Sequence, residues 1–172
     1  MTTQAARAAM SALALADEQT RKQALWAMAD WLCHPDQMQA ILAANAEDMA
    51  AARGHISDVM LDRLALTPER IGAMARGILE VASLPDPVGA VLIYESRPNV
   101  TSDAAALAIK SGNVCVLRCG REAWRSAHAI VEALRRGLKE NGLPEAAVSL
   151  IEDTTHASAN ALMTAVGFVD LL

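Results

Sequence analysis

Aromatic side chains are scarce: one Tyr, one Phe and three Trp, 3% of the 172 residues. A core short of rings must be filled with aliphatic and small side chains. Ala is abundant, so the elements should approach one another closely. Cysteine is scarce as well. Cys33, Cys115 and Cys119 form an odd set without even spacing, which argues against a disulfide framework and for a reducing compartment. Cys115 and Cys119 fall on one strand or its exit, too far apart along an extended chain to bridge. His34, His55, His128 and His156 make no metal-ligand spacing with each other or with the cysteines, so no metal is expected. Long basic runs are missing, the net charge is −5 and Arg135-Arg136 is too small a patch, so nucleic acid is not expected as a partner. No apolar run is long enough to span a bilayer. The opening MTTQAARAAM is mixed and polar, unlike a signal peptide. A cytoplasmic protein without a membrane partner is the expectation. Neither G-x-G-x-x-G nor G-x-x-x-x-G-K-[ST] is present, so a standard Rossmann pyrophosphate turn or P-loop is not expected.

What remains is rich in core-forming residues: 53% hydrophobic against 20% charged, enough for one sizeable domain or two small ones. Residues 1–84 read as helices only. QAARAAMSALALA carries apolar residues at helical spacing. A second helix runs from about Asp17 to Leu32, with Leu25, Met28, Ala29 and Leu32 on one face. It stops at Cys33-His34-Pro35, because proline disfavours helix at the residue before it. A third runs from about Asp36 to Ala52 and ends at Gly54, suited to a left-handed cap. TPERIGAMARGILEVA begins with Thr67 as N-cap and Pro68 at the first helical position.

The pattern changes after Pro87. GAVLIY (89–94), VCVLR (114–118), VSLIE (148–152) and FVDLL (168–172) are short apolar runs. Helical segments lie between them at about 100–111, 121–141 and 155–165, and Gly112 and Gly142 close two of these. The order βαβαβαβ predicts an α/β fold: N-terminal helices over 1–84, then a parallel, Rossmann-like sheet over 85–172. Ligands in such sheets bind beyond the carboxyl ends of the strands, which directs attention to the turns after Tyr94, Arg118 and Glu152.

In the first turn, Asn99 either caps the helix beginning near Val100 or donates to an oxyanion. Glu95 and Arg97 either bind substrate or pair on the surface. Arg118 closes the second strand within reach of an anionic cofactor. Arg121 stands near a helix N-terminus, where a cation is misplaced unless an anion is present; the alternative is a solvated arginine. Cys119 is a passive small residue or a thiolate activated by Arg118 and Arg121. Trp26, Trp31 and Trp124 read as packing or interface residues.

LDRLALTPERI, LPDPVG, IYESRPNVTSDAAALAIKSGNVCVLRCGREA, NGLPEAAVSLIEDT and GFVDLL together resemble γ-glutamyl phosphate reductase (glutamate-5-semialdehyde dehydrogenase), of the aldehyde dehydrogenase superfamily. The resemblance implies reduction of L-glutamate 5-phosphate by NADPH in proline biosynthesis, giving glutamate 5-semialdehyde and phosphate. A cysteine first takes the acyl group as a thioester. It implies Asn99 as the oxyanion group, Ser96 and Pro98 along the cofactor path, and Arg118 against the adenosine ribose. Arg121, where many NAD-preferring relatives carry an acid, suits a 2′-phosphate and so NADP(H).

The chain also departs from the family. The part that carries the nucleophilic cysteine, the catalytic domain, has no counterpart, and none of Cys33, Cys115 and Cys119 matches its motif. LPDPVG joins AVLIYESRPN near residue 89 without an intervening segment of roughly two dozen residues, beyond ordinary loop variation. Cys119 and Arg121 replace the usual Gly and Ser of the glycine-rich turn. The expectation is a partial NADP-binding unit, inactive alone, with exposed apolar surface and a tendency to self-associate. The competing readings are a non-catalytic nucleotide-binding or interaction module, and a small enzyme using Cys119 as its nucleophile.

Overall fold

The computed structural model describes residues 3–85 and 100–164. Five helices come first: α1 (Thr3–Leu15), α2 (Glu18–Cys33), α3 (Pro35–Ala52), α4 (Asp58–Leu64) and α5 (Pro68–Ser83). There follow α6 (Val100–Lys110), β1 (Cys115–Leu117), α7 (Trp124–Glu140), β2 (Val148–Leu150) and α8 (His156–Met163). Short 3-10 turns, Arg121–Ala123 and Glu145–Ala147, lead into α7 and β2.

The boundaries follow from local chemistry. Asp17, Ser57 and Thr67 each accept a backbone N–H from the first turn of α2, α4 and α5, satisfying a donor the helix itself cannot. Pro35 and Pro68 sit at helix starts, where their missing N–H costs nothing. Gly54, Gly112 and Gly142 all have positive φ, as expected for residues that turn the chain out of a helix. The sequence assigned no helix to 58–64, yet α4 forms there behind its Ser57 cap.

β1 and β2 pair in parallel, with Cys115 opposite Val148 and Leu117 opposite Leu150, and Ile151 N donates to the Leu117 carbonyl at 2.9 Å. α7 is the crossover between them. The expected four-strand sheet is not supported by the described residues, which form an α-rich unit of eight helices and this two-stranded sheet. The strands expected at 89–94 and 168–172 lie outside the described residues.

α2 lies at the centre. Leu25, Met28 and Leu32 of α2 share one core with Ile71 and Ile78 of α5, Ile109 of α6, Ile130 and Leu134 of α7, and Val148 of β2. Each such fully buried aliphatic contributes about 1.5–3 kcal/mol. The N-terminal helices are therefore packed directly onto the strand-bearing part. α2 and α7 approach closely at Gly137 of α7: a Cβ there would stand 2.6 Å from Met28 Cα and 2.7 Å from the Ala27 carbonyl carbon. This is the close packing that a small-residue core permits.

Buried polar groups hold the helices in register. Lys110, 1% exposed, donates to Glu18 Oε1 at 3.3 Å and to the Ala82 carbonyl at 3.4 Å. Asn45 donates to the Leu64 carbonyl and to Ser126 Oγ, and its Oδ1 accepts Leu66 N. Among the described residues no buried side-chain nitrogen or oxygen lacks a partner, as native interiors require. No helix among them is long and apolar enough to cross a membrane.

Candidate functional site

Because β1 and β2 are parallel, the chain leaves both at one end of the sheet. After β1 come Arg118, Cys119 and Gly120, then the 3-10 turn and α7. After β2 comes the 151–155 turn, then α8. Two helix N-termini therefore face the same end as Arg118, giving it a positive local field.

Arg118 spans the two turns. Its Nε donates to Ser158 Oγ at 3.0 Å, and its Nη2 donates to the carbonyls of Thr154 at 2.9 Å and Thr155 at 3.0 Å. The guanidinium thus fixes the entry to α8. Asp153 tightens the same turn by accepting Thr155 N at 2.8 Å. Hydrogen bonds from Thr155 and then the charge of Arg118 hold its carboxyl below the usual carboxylate range. Arg121 differs from Arg118: it is exposed, with no hydrogen bond or ion pair among the described residues. Among the described residues it is a cation at this end available to an incoming anion. Gly120 precedes it, and a Cβ there would meet the Glu122 carboxylate, so this turn leaves space for no larger residue while Glu122 keeps its place.

Cys119 is not the activated thiol its neighbours suggested. It is buried, and its pKa is pushed up to about 11, first by burial and then by the charges of Asp48 and Glu122. Arg118 pulls the other way and is outweighed; Arg121 makes no contribution. Cys115, fully buried, is pushed up to about 12. Cys33 is exposed, its pKa raised by burial and Asp30. All three are free. At neutral pH a disulfide titrant should reach one thiol first, Cys33, by its exposure and despite its raised pKa. Cys115 and Cys119 should respond only at the rate of unfolding; rapid labelling of Cys119 in the native protein would contradict this geometry.

The feature that the sequence reading missed is Asp48. Its side chain is fully buried, and its Oδ2 accepts both Ser126 N at 2.8 Å and Ser126 Oγ at 2.7 Å. Oδ1 accepts Arg125 Nη1 at 3.3 Å. α7 has no side-chain cap of its own; a carboxylate from α3 caps it instead. Trp124 adds a second tie, donating Nε1 to the Ile151 carbonyl at 3.3 Å. Trp31 and Trp124 lie against His34 and His128, and Trp26 lies under Lys22. Glu95, Ser96, Arg97, Pro98 and Asn99 lie outside the described residues. Among the described residues no cluster of His, Cys, Asp and Glu could hold a metal.

No family model matches the chain. Individual proteins do. It is 52% identical over 180 residues to the γ-glutamyl phosphate reductase of Streptococcus pneumoniae strain Hungary19A-6, covering 91% of this chain and 42% of that protein. The same enzyme from strain CGSP14 gives the same identity and coverage. The chain is homologous to γ-glutamyl phosphate reductases. The crystal structure of the Thermotoga maritima γ-glutamyl phosphate reductase superimposes with a TM-score of 0.84 at 35% identity, over 91% of this chain and 43% of that one. The Saccharomyces cerevisiae γ-glutamyl phosphate reductase gives 0.78 at 30% identity, over 88% and 45%. The chain thus spans under half the length of the γ-glutamyl phosphate reductases it matches. The matched 91% of 172 residues is about 157 residues, against 180 aligned positions, so about 23 positions have no counterpart. That shortfall is in keeping with the segment of roughly two dozen residues found wanting between LPDPVG and AVLIYESRPN.

Proposed function

We propose that this chain forms part of the nicotinamide-cofactor side of a γ-glutamyl phosphate reductase, whose reaction is the NADPH-dependent reduction of L-glutamate 5-phosphate to the 5-semialdehyde and phosphate. The observation that carries the reading is 52% identity to such reductases over 91% of the chain. The residues present fit a phosphate-bearing cofactor: two helix N-termini, Gly120 and the unpaired cation of Arg121 face one end of the sheet. Bound NADPH would supply the hydride. Arg121 would meet its 2′-phosphate, while Arg118 holds the 151–155 turn in place beside it. Asn99, with Ser96 and Pro98, is assigned to the reacting end, and Glu95 and Arg97 to substrate.

The burial of Cys119 and its raised pKa favour a binding role for this chain, without turnover of its own. Fluorescence titration with NADPH and NADH tests both parts. NADPH should bind more tightly than NADH. Arg121→Ala should weaken NADPH by about tenfold, the equivalent of one charged contact, and leave NADH nearly unchanged. Equal affinities, unaffected by Arg121→Ala, would sink the NADP(H) assignment. Reduction of substrate by the chain alone, abolished by Cys119→Ser, would restore that cysteine as a nucleophile.

A further inference from the structure

α3 buries a stripe that is polar where a core stripe is usually apolar. Its buried residues are Gln37, Ile41, Asn45, Asp48 and Ala52, spaced by three or four so that they share one face. Three of the five are polar, and all three bond to α7. Gln37 Nε2 donates to the Ala129 carbonyl at 3.0 Å. Asn45 Nδ2 donates to Ser126 Oγ at 3.0 Å, and that hydroxyl donates on to Asp48 Oδ2 at 2.7 Å. Asn45 is anchored in turn by the link between α4 and α5, through the Leu64 carbonyl at 2.9 Å and Leu66 N at 2.8 Å.

The same helix holds the residues that follow Arg121. Ala123, at the end of the 3-10 turn, packs with Ala52 of α3 and Leu64 of α4 in a small cluster apart from the main core. Arg125 is paired with Glu47 at 3.1 Å and with Asp48 at 3.3 Å. Ser126 gives both its N–H and its hydroxyl to Asp48. The charge of Asp48 is felt at Cys119, on the other side of Arg121 in the chain. Burying polar groups costs desolvation that aliphatic side chains would not incur. What the directed bonds supply is a defined position. Asp48 also brings a negative charge toward a turn proposed to meet an anion, so its contribution there lies in position and not in charge.

We infer that Asn45 and Asp48 are positioning residues for the cofactor turn, setting where Arg121 stands through Ser126 and the first turn of α7. The inference rests on the proposed cofactor reading and extends it to α3. Asn45 and Asp48 are 4% and 1% exposed, so they act through other residues.

The test uses two variants of the whole chain. Asp48→Asn removes the charge and keeps an acceptor. Ser126→Ala keeps the charge and removes the hydroxyl bridge. Each should weaken NADPH by about three- to tenfold in fluorescence titration and leave NADH within about twofold. On an Arg121→Ala background neither should add more than about twofold, because the side chain they place is gone. Gly137→Ala, at the far end of α7, controls for lost stability: below its melting range it should bind both cofactors as wild type does. The Arg121 amide resonance gives a readout that needs no cofactor, and Ser126→Ala should displace it although all charges are kept. Wild-type NADPH affinity in both variants, with that resonance unmoved, would overturn the positioning role and leave the cofactor reading standing. Tighter NADPH binding by Asp48→Asn would also overturn it, since charge would then outweigh position. A displaced resonance in a chain that binds no NADPH would remove the cofactor reading and keep the hold of α3 on the turn.

Discussion

Gly137→Ala should lower the thermal midpoint by about 4–8 °C. The new methyl would overlap the α2 backbone at Met28 and Ala27. Neither flank can yield by rotating a side chain, so α2 and α7 must separate. Overpacking of this kind costs about 1–3 kcal/mol or more. Alanine's better helix propensity returns about 1 kcal/mol. A net loss of about 2 kcal/mol corresponds to the stated shift for a chain of this size. Gly72→Ala is the control. Its Cβ would meet only the end of the Arg76 side chain at 3.5 Å, an ordinary contact, so the same substitution should raise the midpoint by about 2–4 °C. Two glycine-to-alanine changes in helices should therefore move stability in opposite directions. Equal effects would mean that α2 and α7 are not in close contact.

The sequence distinguishes these two glycines poorly, and the reason is general to this chain. Local signals were legible. Thr67-Pro68 marked the start of α5, Gly54, Gly112 and Gly142 marked helix ends, and Cys115–Leu117 and Val148–Leu150 fell inside expected strands. Each of these depends on residues within one turn of itself. α4 escaped because its seven residues make barely two helical turns, too few for an apolar stripe to stand out. Gly137 looks like a helix weakener until its neighbour, more than a hundred positions earlier, is known. Arg118 was picked out for its charge and position, but its partners Thr154, Thr155 and Ser158 lie some 40 residues on, and nothing in either segment names the other. Cys119 was assessed from adjacent arginines; the carboxylate of Asp48 that opposes them comes from α3.

Asp48→Ala should cost about 2–3 kcal/mol. The carboxylate satisfies two donors of Ser126, and charge-assisted hydrogen bonds of this sort are worth about 1.5–3 kcal/mol. Removing it leaves the Ser126 N–H buried without an acceptor and takes the cap from α7. The Ser126 hydroxyl keeps only Asn45. Arg125 suffers less, since it is half-exposed and still holds Glu47 at 3.1 Å. Asp48→Asn should retain one acceptor and lose roughly half as much. Chemical denaturation of the three proteins measures the ranking. An Ala variant as stable as wild type would show that Asp48 does not cap α7. The Asn variant should also bring the Cys119 pKa down, since the Asp48 charge raises it, while burial keeps it above that of an ordinary thiol.

The placement of α2 at the centre has a consequence for biosynthesis. Its principal partner, α7, begins 90 residues after it ends. At about 5–20 residues per second a ribosome needs about 5–20 s to make that stretch. α5 can cover part of Leu25, Met28 and Leu32 once it is made, but the face of α2 that meets α7 stays open until the interval ends. The nascent chain therefore passes through a long window of exposed aliphatic side chains, in which it competes for holdase chaperones. A codon-level slowing between α2 and α7 should lower its soluble yield more than the same slowing after α7.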